Sequence, residues 1–216
     1  MGKLAVFGAN GTIGSRVVRE ALDRGHRVTA VVRDPSRFDE EHRRLTVVTG
    51  DVLSEESVVR AAEGEDAVVS AVGGGDGPGH RALIRPSVVS LVEGLRRLGT
   101  RAPRLIVVGG AGSLRTPDGT RVWDAPGLPE AVRQIMHAHG DALEYLRTVD
   151  DVRWTNFSPA ADIAPGDRTG RYRTGLDDLV SDTGGTSRIS AEDYAVALVD
   201  EFEEPHHVQE RFTAAY

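Results

Sequence analysis

The chain has 216 residues, with 26 basic and 33 acidic side chains, a formal net charge of -7 and no cysteine. An acidic balance argues against a nucleic-acid partner, because phosphates demand a basic face. The sequence contains no run of eighteen apolar residues, so neither a membrane span nor a membrane partner is expected. The chain begins with a predicted strand and not with a signal peptide. The absence of cysteine excludes disulfides, thiolate nucleophiles and Cys-ligated metals, and fits a cytoplasmic protein.

Apolar runs alternate with longer amphipathic stretches along the whole sequence. The runs predict strands at 4–7, 27–33, 45–51, 66–74, 104–110, 152–159 and 211–216. The amphipathic stretches predict helices at 15–24, 55–62 (capped by Ser54), 81–98 and 129–148, and a capping box at 190–193 opens a last helix. Such alternation predicts right-handed crossovers. The expected fold is therefore α/β, a Rossmann-like doubly wound parallel sheet with helices on both faces, in a single domain spanning 1–216.

Residues 160–189 are the exception to this pattern, since they are rich in Gly, Asp and Arg and have no clear period. A stretch of this kind late in a doubly wound domain is expected over the carboxyl ends of the strands, where ligands bind. We expect a small C-terminal segment that covers the substrate, with Arg171 and Tyr172 nearest to it. A solvated loop is the alternative.

Three glycines, Gly8, Gly11 and Gly14, follow the first strand and open the first helix in the motif "GANGTIG". In that context Gly8 permits the turn, Gly11 lets the backbone approach a pyrophosphate, and Gly14 allows close helix–strand packing. The start of the helix then offers free N–H groups and the positive end of its dipole to phosphates. The motif predicts a dinucleotide site.

The GxxGxxG spacing resembles that of the atypical branch of the short-chain dehydrogenase/reductase superfamily. More narrowly, the chain is similar to NAD(P)H-binding proteins related to NmrA and to flavin and biliverdin reductases, often called NADH-flavin reductases. The resemblance covers nearly the whole chain, through "GANGTIG", "VVRDPSR", "GDV", "SAVGG", "VVGGAGSL", "SPAADIAPGDRTGRYR" and "SRISAEDYAVALVDEFE".

The resemblance also implies a set of cofactor-binding positions at the carboxyl ends of the strands. It places Asp51 and Val52 beside the adenine and Pro159 and Ala160 beside the nicotinamide. The remaining implied contacts are the glycine loop and the ribose side, namely Gly8, Asn10, Gly11, Thr12, Ile13, Gly14, Ala71, Val72 and Gly73.

The choice of cofactor depends on the end of the second strand. Arg33 stands there with Arg37 one turn later, and an arginine can pair with the 2′-phosphate of NADP. Asp34 is the competing signal, since an acidic residue would accept hydrogen bonds from an NAD ribose, but it also suits a cap ahead of Pro35. The sequence favours NADP(H) over NAD(H).

Typical members of the superfamily use a tyrosine and a lysine four residues later on one helix face, where the lysine lowers the pKa of the phenol. That pair is absent. Lys3 is the only lysine, and the positions four residues after Tyr145, Tyr172 and Tyr194 are Val149, Leu176 and Leu198.

Two other residues are candidates for catalysis. Ser113 follows the strand at 104–110, near where the superfamily places a catalytic serine, with Ala111 or Gly112 as the alternative residues at that exact position. His139 falls on the apolar stripe of the helix at 129–148, where it is either a packed, hydrogen-bonded residue or an acid. His137 lies on the opposite, polar side and is expected to be solvated. The two histidines do not face one ligand, so no metal site is expected.

A chain that holds NADPH but lacks the tyrosine–lysine pair suits hydride transfer to a planar acceptor, which needs little proton chemistry from the protein. The first hypothesis is therefore a reductase of a flavin, quinone or similar small planar acceptor, with flavin as a substrate. The alternative is a noncatalytic NADP(H)-sensing regulator of the NmrA type. Sugar-nucleotide epimerisation or dehydration is disfavoured by the missing pair.

Overall fold

The structure is a computed structural model that describes residues 1–216. Its main sheet has eight strands. Seven strands are parallel, in the order β3-β2-β1-β4-β5-β6-β10, and β8 pairs antiparallel to β10 at the edge. The strands are β1 Lys3–Phe7, β2 Arg27–Val32, β3 Leu45–Thr49, β4 Ala67–Ser70, β5 Arg104–Val108, β6 Trp154–Ser158, β7 Asp162–Ala164, β8 Arg173–Gly175, β9 Arg188–Ser190 and β10 Glu210–Ala215. Strands β7 and β9 form a separate parallel pair.

Five helices cover both faces of the sheet, as predicted. They are α1 Thr12–Asp23, α2 Glu55–Ala62, α3 Gly77–Arg96, α4 Glu130–Leu146 and α5 Ala191–Glu203. Successive residues of β1 point to opposite faces, so Leu4 and Val6 join the core under α1 and α5, while Ala5 and Phe7 join the core under α2, α3 and α4. Both faces of the sheet are therefore buried, and the doubly wound α/β fold is confirmed. None of the helices is long and apolar enough to cross a membrane.

Several boundaries differ from the sequence-based expectation. Helix α3 begins at Gly77, four residues earlier than predicted, because the Asp76 carboxylate accepts a hydrogen bond from Gly79 N (2.6 Å) and proline occupies the first turn. Helix α1 likewise begins earlier, at Thr12. The capping box of α5 forms only in part: Ser190 Oγ accepts from Asp193 N, but Ser190 N donates to Tyr216 Oη.

The segment 160–189, expected to cover the substrate, lies only in part at the cleft. Its first residues stay at the carboxyl edge, but the chain then runs along the outside of α1 and α5. There Arg168 pairs with Glu20 of α1 (2.7 Å), and Thr169 N donates to Asp193 of α5 (2.8 Å). Because these partners lie on the two helices, residues 167–172 run beside the helices and not over the ends of the strands, and residues 173–175 then pair with β10 as strand β8.

The strand order reverses between β1 and β4, which are neighbours at the centre of the sheet. A crevice forms at such a point because the connections from the two strands leave toward opposite faces. The residues that follow β1, β4, β5 and β6 line this crevice, which we call the cleft.

Candidate functional site at the carboxyl edge of the sheet

At two glycines of the loop after β1, the neighbouring backbone leaves no room for a side chain. Gly8 has a φ of +77°, and a Cβ atom there would lie 2.5 Å from the carbonyl oxygen of Ala71. At Gly14 a Cβ atom would lie 2.1 Å from the carbonyl oxygen of Gly8. Gly8 therefore makes the turn, and Gly14 allows the first turn of α1 to pack on the loop.

The start of α1 is free to bind an anion. Gly11 is the residue before the helix and gives it no side-chain cap, while its own N–H donates to the carbonyl oxygen of Gly8 (2.9 Å). The N–H groups of the first turn therefore face the cleft together with the positive end of the helix dipole. This arrangement fits the pyrophosphate of a dinucleotide.

One part of the cleft, the β2-side cavity, lies beyond the ends of β1, β2 and β4. It collects most of the residues predicted for the adenosine half of a cofactor, namely Gly8, Asn10, Gly11, Arg33, Asp51, Val52, Ala71, Val72 and Gly73. Sequence reasoning missed Leu53 and Leu83, two apolar side chains at the rim of the same cavity. Leu53 is 48% exposed, and a flat base is the kind of group that would cover it.

The two charged residues after β2 have different surroundings. The Asp34 carboxylate accepts hydrogen bonds from the N–H (3.1 Å) and the hydroxyl (2.6 Å) of Ser36, and these bonds lower the pKa of Asp34. It caps a 3-10 turn, Pro35–Arg37. Arg33 lines the cavity with no ion-pair partner. Arg37 is exposed on the adjoining turn and lies outside the cavity lining.

The other part of the cleft, the β5-side cavity, lies beyond β4, β5 and β6 and has a volume of about 470 Å³. Gly11, Ala71, Val72 and Gly73 line both cavities, so the two are continuous. The predicted residues Thr12, Ile13, Pro159, Ala160 and His139 lie here. Apart from Thr12 and two histidines the side chains are apolar, including Val108, Val132, Ile135, Met136 and Ile163.

His139 lies at the wall of the β5-side cavity on α4. Its Cβ atom would be 2.9 Å from a Cβ atom placed on Gly110, so only glycine at the end of β5 lets the helix approach this closely. Burial, with a smaller contribution from the nearby His80, lowers the pKa of His139 to about 4. Its Nδ1 atom is buried without a hydrogen-bond partner, which corrects the expectation of a hydrogen-bonded core histidine. His137, expected to be solvated, is half-buried because its ring packs on Trp123 (4.6 Å between ring centres).

His80 is a residue that sequence reasoning missed. It lies in the first turn of α3 and lines the same cavity, with its ring centre 5.7 Å from that of His139. Its Nδ1 donates to the backbone carbonyl of Asp76 (2.9 Å). The available signal was the Asp-Gly-Pro sequence before it, which starts a helix and turns position 80 toward the end of β4.

Ser113 lies outside the cleft. It is buried, its Oγ accepts a hydrogen bond from Arg211 Nη1 (2.7 Å), and Arg211 pairs in turn with Asp177. A guanidinium buried under the sheet needs such partners, so Ser113 belongs to this ionic cluster and not to the wall of either cavity.

The structure also places Arg171 and Tyr172 away from the cleft. Arg171 is exposed, and the Tyr172 hydroxyl donates to Asp200 near the end of α5. Arg24, which follows the last residue of α1, contacts the same Asp200 carboxylate (2.6 Å). Because α1 runs away from the cleft, its end marks the opposite edge of the sheet. The prediction that these two residues lie nearest the acceptor is corrected.

The fold and the phosphate-binding loop together define a dinucleotide-binding protein of the Rossmann type. The chain belongs to the NAD(P)H-binding family, whose model matches residues 8–205. It is 37% identical to the uncharacterised protein YwnB of Bacillus subtilis over 98% of this chain and 97% of that protein.

Two solved structures extend the comparison over all of this chain. A "putative NADH-flavin reductase" from Streptococcus pneumoniae is 35% identical, with a TM-score of 0.85 over 99% of its length. A "putative epimerase" from Bacteroides thetaiotaomicron is 41% identical, with a TM-score of 0.89 over 97% of its length. The resemblance to the NAD(P)H-binding reductases seen in the sequence is thereby confirmed.

Proposed function

We propose that this protein is an NADPH-dependent reductase that transfers hydride to a flavin, a quinone or a similar small planar acceptor. The observation that carries the proposal is the apolar β5-side cavity, which continues directly from the phosphate-binding loop. A ring system stacked beside the nicotinamide would bury its faces against Val132, Ile135 and Met136. Val132 is 36% exposed, so such a ring would also remove apolar surface from water.

The residues of the β5-side cavity fit a ring better than a sugar. A sugar nucleotide has many hydroxyl groups, and a site that selects it must pair them with polar side chains. The cavity offers only Thr12, His80 and His139 for that purpose. The name of the Bacteroides relative raises epimerisation for this chain too, but these surroundings favour the hypothesis of a planar acceptor.

Helix α4 supports reduction without the chemistry typical of the superfamily. Ile135 and His139 are four residues apart on α4, and both line the cavity. A tyrosine and a lysine with the same spacing would face the cleft in this way. Isoleucine has no proton to give, so alcohol oxidation is disfavoured at this site.

The surroundings of Arg33 support NADPH over NADH. When bound, NADPH supplies the hydride, and its 2′-phosphate distinguishes it from NADH. Arg33 lines the β2-side cavity without an ion pair, and Asp34 is already engaged by Ser36. A free guanidinium at the end of β2 fits a 2′-phosphate, and a carboxylate occupied by a turn is a poor partner for ribose hydroxyls.

The test is to mix the protein with NADPH and either FMN or a soluble naphthoquinone, and to follow the absorbance of the reduced nicotinamide. Oxidation of NADPH with either acceptor, at a rate proportional to protein concentration, is the expected result. Tight binding of both NADPH and NADP⁺ without turnover of any acceptor would contradict it and would favour the NADP(H)-sensing regulator.

A further inference from the structure

The β5-side cavity contains two titratable side chains, and they are adjacent. The ring centres of His80 and His139 are 5.7 Å apart, on two different helices, α3 and α4. Every other side chain of the lining is apolar except Thr12. A quinone or flavin in this cavity would meet no other group that can exchange a proton.

The two rings are held differently. His80 Nδ1 donates to the backbone carbonyl of Asp76 (2.9 Å), so Nδ1 carries a proton in either charge state of the ring. The Nε2 atom is then the site of proton exchange. It lies 3.6 Å from the position of a Cβ atom on Gly73, a residue that lines both cavities. His80 is also partly exposed, which lets solvent return a proton to it.

His139 is suited to remain neutral. Burial and the nearby His80 lower the pKa of His139 to about 4, so it is uncharged at neutral pH. A charge on His80 therefore meets no second imidazolium. The Asp76 carboxylate, one turn back on the same helix as His80, is already engaged by Gly79 N.

We propose that His80 is the proton donor to the acceptor in the β5-side cavity, with His139 as its neutral neighbour. The inference rests on the proposed reductase function. In the step, the hydride leaves C4 of NADPH and forms an O–H bond at one carbonyl oxygen of the quinone, and the other carbonyl oxygen takes the new electron pair. The Nε2–H bond of the His80 imidazolium then breaks, a second O–H bond forms at that other oxygen, and the neutral ring regains a proton from solvent. The products are the hydroquinone and NADP⁺.

The experiment compares two acceptors that differ in their need for a proton. A naphthoquinone takes up hydride and a proton, whereas the cationic dye methylene blue becomes the neutral leuco dye by hydride alone. His80→Asn should lower kcat for the quinone about 100-fold, the scale of general acid catalysis. It should leave methylene blue reduction and the Kd for NADPH within twofold of wild type. His206→Asn, at an exposed histidine outside the cleft, is the matched control and should change neither.

Two further measurements separate proton donation from a structural role. The kcat of wild type with the quinone should fall as pH rises through the titration of one group, and this fall should be absent in His80→Asn. Without turnover, adding the quinone to the NADP⁺ complex should shift the ¹⁵N signals of the His80 ring but not those of His206.

The contrary results are distinct. Equal losses with both acceptors would mean that His80 shapes the cavity, and a comparable loss of NADPH affinity would assign it to the cofactor; each would overturn the proton-donor role alone. Unchanged quinone kinetics would overturn it as well. A wild-type protein that reduces neither acceptor would overturn the reductase function itself, together with any donor.

Discussion

The two edges of the parallel sheet treat their polar groups in opposite ways. At the amino edge, several charged side chains form ion pairs with one another. Arg24 contacts Glu20 (2.7 Å), Asp200 (2.6 Å) and Glu203 (2.8 Å). The buried Arg104, at the start of β5, pairs with the buried Glu201 (2.7 Å). Burial lowers the pKa of Arg104, and the carboxylate opposes that shift.

At the carboxyl edge the polar groups of the cleft lack such partners. Arg33 has no ion pair, His139 Nδ1 is buried without a hydrogen bond, and the first turn of α1 has no side-chain cap. Buried polar groups in folded proteins are nearly always satisfied, so the unpartnered Nδ1 atom of His139 is a place in the cleft where a ligand could supply the missing partner. Ion pairs at the amino edge stabilise the fold, whereas Arg33 and His139 at the carboxyl edge have no such partners.

Breaking the amino edge should cost the most free energy. Arg104→Met leaves Glu201 buried without its guanidinium, and removing one partner of a buried pair costs about 3–5 kcal/mol of unfolding free energy. Urea denaturation measures this loss, and Arg153→Met, at an exposed arginine nearby, should stay within about 0.5 kcal/mol of wild type. The folded fraction of Arg104→Met should bind NADPH normally. A loss of binding without a loss of stability would contradict the division between the edges.

Filling the phosphate site should have the next largest effect. Gly11→Val places a branched side chain in the cleft, where a phosphate approaches the backbone, while the φ of -78° at Gly11 is open to any residue. We expect the Kd for NADPH to rise at least 100-fold by calorimetry, equivalent to about 2.7 kcal/mol, with the circular dichroism spectrum retained. Gly184→Val, in an open loop, is the control. Normal NADPH binding by Gly11→Val would refute the site.

Reversing the charge at the end of β2 should act on one cofactor only. We expect Arg33→Asp to remove a charge-assisted contact to the 2′-phosphate and to add repulsion. The binding free energy of NADPH should therefore become less favourable relative to that of NADH by roughly 2 kcal/mol. Arg43→Asp makes the same charge change at the amino edge and should leave the ratio of the two Kd values unchanged. Equal losses for both cofactors would show that Arg33 does not read the phosphate.

The smallest effect on stability and activity is expected for a substitution at Tyr172, in the part of the segment 160–189 that lies away from the cleft. Tyr172→Phe removes one hydrogen bond to Asp200 and should cost about 1 kcal/mol of unfolding free energy. The KM for the acceptor should not change, because Tyr172 is far from the β5-side cavity. A rise in that KM with stability intact would restore the segment as a cover for the substrate.

The fold and the glycine loop could be predicted because their signals are local. Buried parallel strands appear as continuous apolar runs, and the spacing of Gly8, Gly11 and Gly14 reflects contacts within a single β–α turn. The same holds for Asp51, Val52 and Pro159, which follow strands directly. Each of these was found where the order of strands and helices required it.

The polar side chains of the site were harder to predict from the sequence, because their positions depend on which helices face each other. His80 was missed since the glycine run before it indicated a turn and hid the start of α3. Ser113 follows β5 as expected, but it lies outside the cleft, where its hydroxyl accepts a hydrogen bond from Arg211, a residue far along the chain. Arg171 and Tyr172 were misplaced for the same reason, since Tyr172 is hydrogen-bonded to Asp200 of α5 and the nearby Arg168 pairs with Glu20 of α1.

The single lysine has a practical consequence. Lys3 is the first residue of β1, is exposed, and lies beside Met1 at the amino edge, on the opposite side of the sheet from the cleft. The other 25 basic residues are arginines, which do not react with amine-directed reagents under mild conditions. Coupling through amines would therefore attach every molecule to a sensor surface by the same edge, in one orientation, with the cleft facing the flow of cofactor.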